Sequence, residues 1–88
     1  MIEIRLLEQL AAFAKYKTLS AAAEKLHTSQ PALTRSMKKL EDELGVSLFI
    51  RSKNHLALNE TGHRAAEYAQ HVLVADQDFE AKVKAYDR

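Results

Sequence analysis

Gln30, Pro31, Thr34 and Arg35 fall within six residues and set an amide, an apolar ring, a hydroxyl and a planar cation side by side. Each type has a partner on the edge of a nucleic-acid base. Gln pairs with adenine, a proline ring meets a thymine methyl, Arg forks onto guanine O6 and N7, and Thr does either of the first two less selectively. Lys38 and Lys39 follow on the same segment and suit phosphates or a general positive field, whereas an Arg at position 35 can also grip phosphate. Thr28 and Ser29 are helix caps first and phosphate donors second. A basic cluster is ordinarily no more than a solvated helix face, so the elements that present it decide between the two readings.

Those elements lie between Thr18 and Leu44. Thr18 or Ser20 can cap a short helix that runs through Ala21, Ala22, Ala23, Glu24, Lys25 and Leu26, with side chains small enough for a second helix to approach. Thr28 or Ser29 caps the second helix, and Pro31 sits in its first turn, where a missing N–H removes no bond. At 100° per residue Leu33, Met37, Leu40 and Leu44 form one stripe. Pro31, Arg35 and Lys38 lie opposite, flanked by Thr34 and Lys39. Gly45 supplies a left-handed C-cap. Glu41, Asp42 and Glu43 crowd the C-terminal end, which leaves the basic N-terminal half as the end suited to an anion. This is the outline of a helix-turn-helix.

The run SQPALTRSMKKLEDELGVSLFIR resembles the signature of LysR-type transcriptional regulators. Ser29, Gln30, Pro31, Leu40, Glu41, Leu44, Gly45, Leu48, Phe49 and Arg51 match it, as does the Ala22-Ala23 pair upstream. The likeness extends from about Ile4 into the helix after Gly62. It implies a winged helix-turn-helix that reads an operator as a dimer through a linker helix, and a much larger effector-binding domain beyond this stretch. The chain is therefore expected to be the DNA-binding part of a longer bacterial protein. Any small-molecule effector would act through that missing C-terminal domain, and the full-length protein could form higher oligomers.

Eighty-eight residues make one small unit with a modest core, which a partner chain would help to complete. There is no cysteine, so disulfides, a thiol nucleophile and a zinc-finger ligand set are excluded. No apolar run approaches a membrane span or a signal peptide, and a bacterial cytoplasmic location is expected. The net charge of +1 is small, but residues 1–59 hold nine Lys/Arg against six Asp/Glu while 60–88 hold four against six. The basic excess lies with the helix-turn-helix.

In chain order, Ile4, Leu7, Leu10, Ala11 and Ala14 recur at helical spacing and predict a first helix over Glu3 to Lys15. Lys17 stands where the family usually has a turn glycine. After Gly45, two apolar runs, Val46 to Arg51 and Leu56 to Leu58, flank a polar tip and predict a β-hairpin wing anchored by Phe49. Arg51, Lys53, Asn54 and His55 are its candidate phosphate or groove contacts; many relatives carry Arg at the tip. Arg51 has a second reading, a pairing with the acidic cluster at Glu41 to Glu43.

Asn59, where the family usually has Thr, caps a last helix to about Tyr86, roughly 40 Å long. Ala65, Ala69, Val72, Asp76, Phe79, Val83 and Tyr86 recur in steps of four and three, with Leu73 flanking. Ala65, Ala69, Val72, Leu73, Phe79 and Val83 are the expected dimer contacts. His63, Glu67 and His71 share a face at i, i+4 spacing, but one helix supplies only part of a metal shell, so neither metal nor cofactor is expected. No catalytic pattern is present, and enzymatic activity is the least favoured class. The fold class that follows is mainly α: a winged helix-turn-helix of three helices and a short β-hairpin over 1–58, then a long dimerisation helix over 59–88. The expected partner is double-stranded DNA bound by a homodimer on an interrupted inverted repeat. The contrasting reading is a protein-interaction module in which the seam and the basic face both meet a protein.

Overall fold

A computed structural model describes residues 1–53 and 55–87. Its first helix, α1, spans Ile4–Tyr16 and buries Leu6, Leu10 and Phe13. Of the expected stripe Ile4, Leu7, Leu10, Ala11 and Ala14, only Leu10 lies on this buried line, which is rotated so that the other four are half-buried at its edge. Phe13 explains the rotation. Burying so large a side chain contributes about 1.5–3 kcal/mol, and its ring meets Phe49 edge-on with centroids 5.1 Å apart and planes at 80°. The helix ends where Lys17 turns left-handed at φ 71° and donates its N–H to the Phe13 carbonyl.

Thr18 Oγ1 accepts from Ala21 N at 3.0 Å and starts α2, Leu19–Lys25. Ala22 and Ala23 are buried and let α1 and α3 close on this short helix. His27 adopts φ 57° in the turn that follows, and Thr28 donates back to the Ala23 carbonyl at 3.0 Å. Ser29, not Thr28, is the cap of α3, Gln30–Leu44; its Oγ accepts from Ala32 N. Leu33, Met37 and Leu40 are fully buried, but Leu44 is 45% exposed. The core ends one turn earlier than the stripe predicts, because the buried position beyond Leu40 is taken by the Glu41 carboxylate, 5% exposed. Gly45, at φ 73°, closes the helix.

The hairpin is antiparallel, β1 Phe49–Ser52 with β2 His55–Leu58, registered Phe49 to Leu58 and Ser52 to His55. Pairing therefore continues one pair, Ser52 with His55, into the expected polar tip, and His55 is a strand residue. Val46 to Leu48 precede β1 instead of belonging to it. Asn59 Oδ1 accepts from Gly62 N at 2.7 Å and opens α4, Glu60–Tyr86, 27 residues and the longest element. Ala66 and Ala69 bury this helix against the core formed with α1. Beyond them α4 leaves the body, which gives extents of 53 × 26 × 19 Å. The protein is mainly helical, a winged helix-turn-helix followed by a long helix.

Candidate nucleic-acid interface

The first two turns of α3 build the face. Leu33 is buried in the core, so 3.6-residue periodicity turns Gln30, Pro31 and Arg35 outward, with Thr34 half-exposed beside them. These four line one shallow surface with Leu19 of α2. Next to it a cleft is bordered by Thr18, Leu19 and Ser20 at the start of α2, by Gln30 and Thr34 on α3, and by Arg51, Ser52 and His55 of the wing. The structure thus brings the four base-contact candidates together and sets two wing residues, Arg51 and His55, alongside them. Leu19, Ser20 and Ser52 join this face; of these the sequence had offered only Ser20, as an alternative cap of α2. The α2 cap at Thr18 was the one local signal that pointed to that neighbourhood.

The cations of α3 are not equivalent. Lys39 Nζ lies 2.9 Å from Glu3 Oε1, and the ammonium holds the Glu3 carboxyl below its ordinary range. Lys38 Nζ lies 3.4 Å from Asp42. Arg35 is the one cation of this helix with no acidic partner among the described residues. Both lysine pairs are exposed and so weakly held, which leaves Lys38 and Lys39 able to exchange an acidic side chain for a phosphate. Arg5 extends this edge, bonding Ser36 Oγ at 3.5 Å and Glu3 at 3.5 Å.

Arg51 has a structural partner. Its Nη2 donates to Glu41 Oε1 at 2.7 Å, and Glu41 Oε2 also accepts from Leu48 N at 2.7 Å and Phe49 N at 3.2 Å. The Arg51 side chain remains 44% exposed and its guanidinium lies over the Phe49 ring, so it fastens the wing to α3 while facing the cleft. Lys53 is exposed at the hairpin turn. Asn54 lies outside the described residues. Thr28 is half-buried behind the α3 cap, and Ser29 Oγ is exposed with its acceptor side occupied by Ala32 N.

The expected dimer seam divides in two. Ala69 is buried in the chain's own core and Ala65 is half-buried against it, so these small residues serve mainly to seat α4. Leu73 is half-exposed, while Val72, Phe79 and Val83 are 44%, 67% and 53% exposed. An apolar groove continues this line, walled by Ile4 and Leu7 of α1, Leu44 of α3 and Tyr68 and Val72 of α4. That groove accounts for Leu44, whose side chain leaves the core to form one of its walls. Among the described residues no three His, Cys, Asp or Glu side chains gather as a metal site requires.

The model of bacterial regulatory helix-turn-helix proteins of the lysR family matches residues 4–63, from the start of α1 into the first turn of α4. The chain belongs to the LysR family. Among LysR-type relatives, the transcriptional regulator TcbR of Pseudomonas sp. strain P51 is 42% identical over 72 residues, covering 82% of this chain and 24% of TcbR. The uncharacterized regulator YcgK of Bacillus subtilis strain 168 is 38% identical over 78 residues, again with 24% of its length covered. The chain thus spans about a quarter of the curated relatives it matches. In the crystal structure of a CbnR DNA-binding domain bound to DNA, the protein superposes with a TM-score of 0.91 at 37% identity, covering 99% of this chain and all of that one. The BenM DNA-binding domain bound to a benA site gives 0.88 at 29% identity, with 97% and 99% covered.

Proposed function

We propose that this chain is the sequence-specific double-stranded DNA-binding unit of a LysR-type transcriptional regulator. The N-terminal half of α3 enters the major groove, with Gln30, Pro31, Thr34 and Arg35 toward base edges. Thr28, Ser29, Lys38, Lys39, Arg51, Lys53, Asn54 and His55 meet phosphates or the adjoining groove. The observation that carries the reading is the shared outward face of Gln30, Pro31, Thr34 and an ion-unpaired Arg35 beside the wing cleft. The two structural relatives named above, both complexes with DNA, support it.

Two copies join through α4, with Val72, Leu73, Phe79 and Val83 as the principal apolar contacts and Ala65 and Ala69 at the edge. The operator is then an interrupted inverted repeat. The activity is binding and not catalysis, and it takes place in the bacterial cytoplasm. In a full-length protein, a further domain would carry any effector site and any higher assembly.

Selection from a pool of random duplexes at near-physiological salt, followed by sequencing, tests this. The expected result is salt-sensitive retention of one interrupted palindrome. Retention without enrichment would reduce the chain to an electrostatic binder, and no retention by a folded dimer would point to a protein-interaction module.

A further inference from the structure

We propose that Glu41 and Asn59 are positioning residues that set the distance between the two half-sites, by clamping the segment Ser47–Phe49 between α3 and α4. The inference rests on the dimeric DNA-binding reading above and adds to it what decides operator spacing.

The three residues of the segment belong to no helix or strand except for Phe49, so their backbone groups need partners from elsewhere. From one side Glu41, on the last turn of α3, takes the N–H groups of Leu48 and Phe49 on one carboxylate oxygen, and the Ser47 hydroxyl lies between that oxygen at 3.4 Å and the Phe49 carbonyl at 3.2 Å. From the other side Asn59, the cap of α4, donates its side-chain amide to the Ser47 carbonyl at 3.1 Å and its backbone N–H to the Leu48 carbonyl at 2.9 Å. Gly62 completes the contact. The first turn of α4 lies so close to this segment that a Cβ there would stand 2.1 Å from the Leu48 oxygen.

Donors and acceptors of one short segment are thus divided between the recognition helix and the dimer helix. The same Asn59 side chain caps α4 through Oδ1 and clasps Ser47 through Nδ2. The threonine that the family usually carries here has no amide to supply the clasp.

Besides this junction, α4 is held to the body along α1, where Ala65, Ala66 and Ala69 pack on the core. The junction fixes the N-terminal end of the helix and so helps to set its direction. With the junction loosened, α4 keeps its packing on α1 and can tilt about it. Half of α4 is a lever of about 20 Å, so a swing of about 10° moves its end by about 3.4 Å, the rise of one base pair. In a dimer joined through the exposed halves of α4, that swing changes the separation of the two copies of α3 by the same order.

The test measures affinity, by competition anisotropy, for duplexes that keep the selected half-sites and differ in spacer length by one base pair either way. Wild type is compared with Asn59→Asp, which keeps the cap acceptor and loses the clasp donor, and with Glu41→Gln, which keeps one acceptor oxygen and loses the charge. Circular dichroism confirms that each is folded, and if Glu41→Gln is not, Asn59→Asp decides. The expected result is an unchanged half-site preference with a reduced affinity ratio between the best spacer and its neighbours. Uniformly weaker binding with the wild-type spacer ratio would overturn the clamp. Absence of specific binding by wild type itself would overturn both the clamp and the operator reading, and is told apart because no substitution is needed to see it.

Discussion

The guanidinium of Arg51 and the carboxylate of Glu41 meet at 2.7 Å across the junction of α3 and the wing, the acid buried and the base half-exposed. Burial pushes the Glu41 carboxyl up. The hydrogen bonds from Arg51, Leu48 N and Phe49 N, with the Arg51 charge, more than offset this and hold it below its ordinary range. The folded chain therefore binds this proton less readily than the unfolded chain. Its contribution to stability is complete above the ordinary carboxyl range, near pH 4, and is lost as pH falls through the lower folded value. Urea midpoints should drop between about pH 7 and about pH 3 more steeply for wild type than for Glu41→Gln. Parallel pH profiles would contradict the assignment. At neutral pH, Glu41→Ala should destabilise by about 1–3 kcal/mol, because two buried N–H groups lose their acceptor.

Gly62→Ala should destabilise the protein although alanine is the better helix former. A Cβ at this position meets the Leu48 carbonyl oxygen at 2.1 Å, a backbone atom that cannot rotate away. The expected loss is about 1–3 kcal/mol by chemical denaturation. A gain of stability would mean that α4 does not rest on Leu48.

Arg35→Ala should weaken binding to the selected duplex by about 1–3 kcal/mol and relax preference at one or two base pairs. Titration against single-base variants of the site checks this. An equal loss on every sequence would reassign Arg35 to a phosphate. Because the side chain is exposed and has no ion partner among the described residues, thermal stability should be nearly unchanged.

Phe79→Asp should lower the dimer fraction in sedimentation, since it places a charge where apolar surface is to be buried. With Phe79 67% exposed in the single chain, the folded protomer should change by no more than about 0.5 kcal/mol. An unaltered dimer fraction would remove Phe79 from the seam.

Local chemistry made much of this fold legible. The caps at Thr18, Ser29 and Asn59, the proline in the first turn of α3, the C-cap glycine at 45 and the apolar period of α3 all act within a turn or two, and α2, α3 and α4 begin where the three caps predict. The outward grouping of Gln30, Pro31, Thr34 and Arg35 follows from the same periodicity. What depends on distant partners was not legible. Nothing near Lys39 announces Glu3, 36 residues away. Leu44 continues the α3 stripe by spacing, yet the core there holds Glu41 because donors from Ser47, Leu48, Phe49 and Arg51 converge on it. Ala69 has the seam spacing, but a small side chain at that place brings α4 onto the chain's own body. Glu41 itself matched the family pattern, and Gly62 was read only as part of a helix start. Their shared contact, the Ser47–Phe49 segment, appears only once the chain is folded.

In the proposed function α3 reads base sequence and does not merely attract charge. The most direct measurement is the affinity of the 88-residue chain for its selected duplex against a scrambled duplex of equal length and composition, at near-physiological salt. A ratio of about 10³ or more is expected. Equal affinities that fall together as salt rises would contradict it.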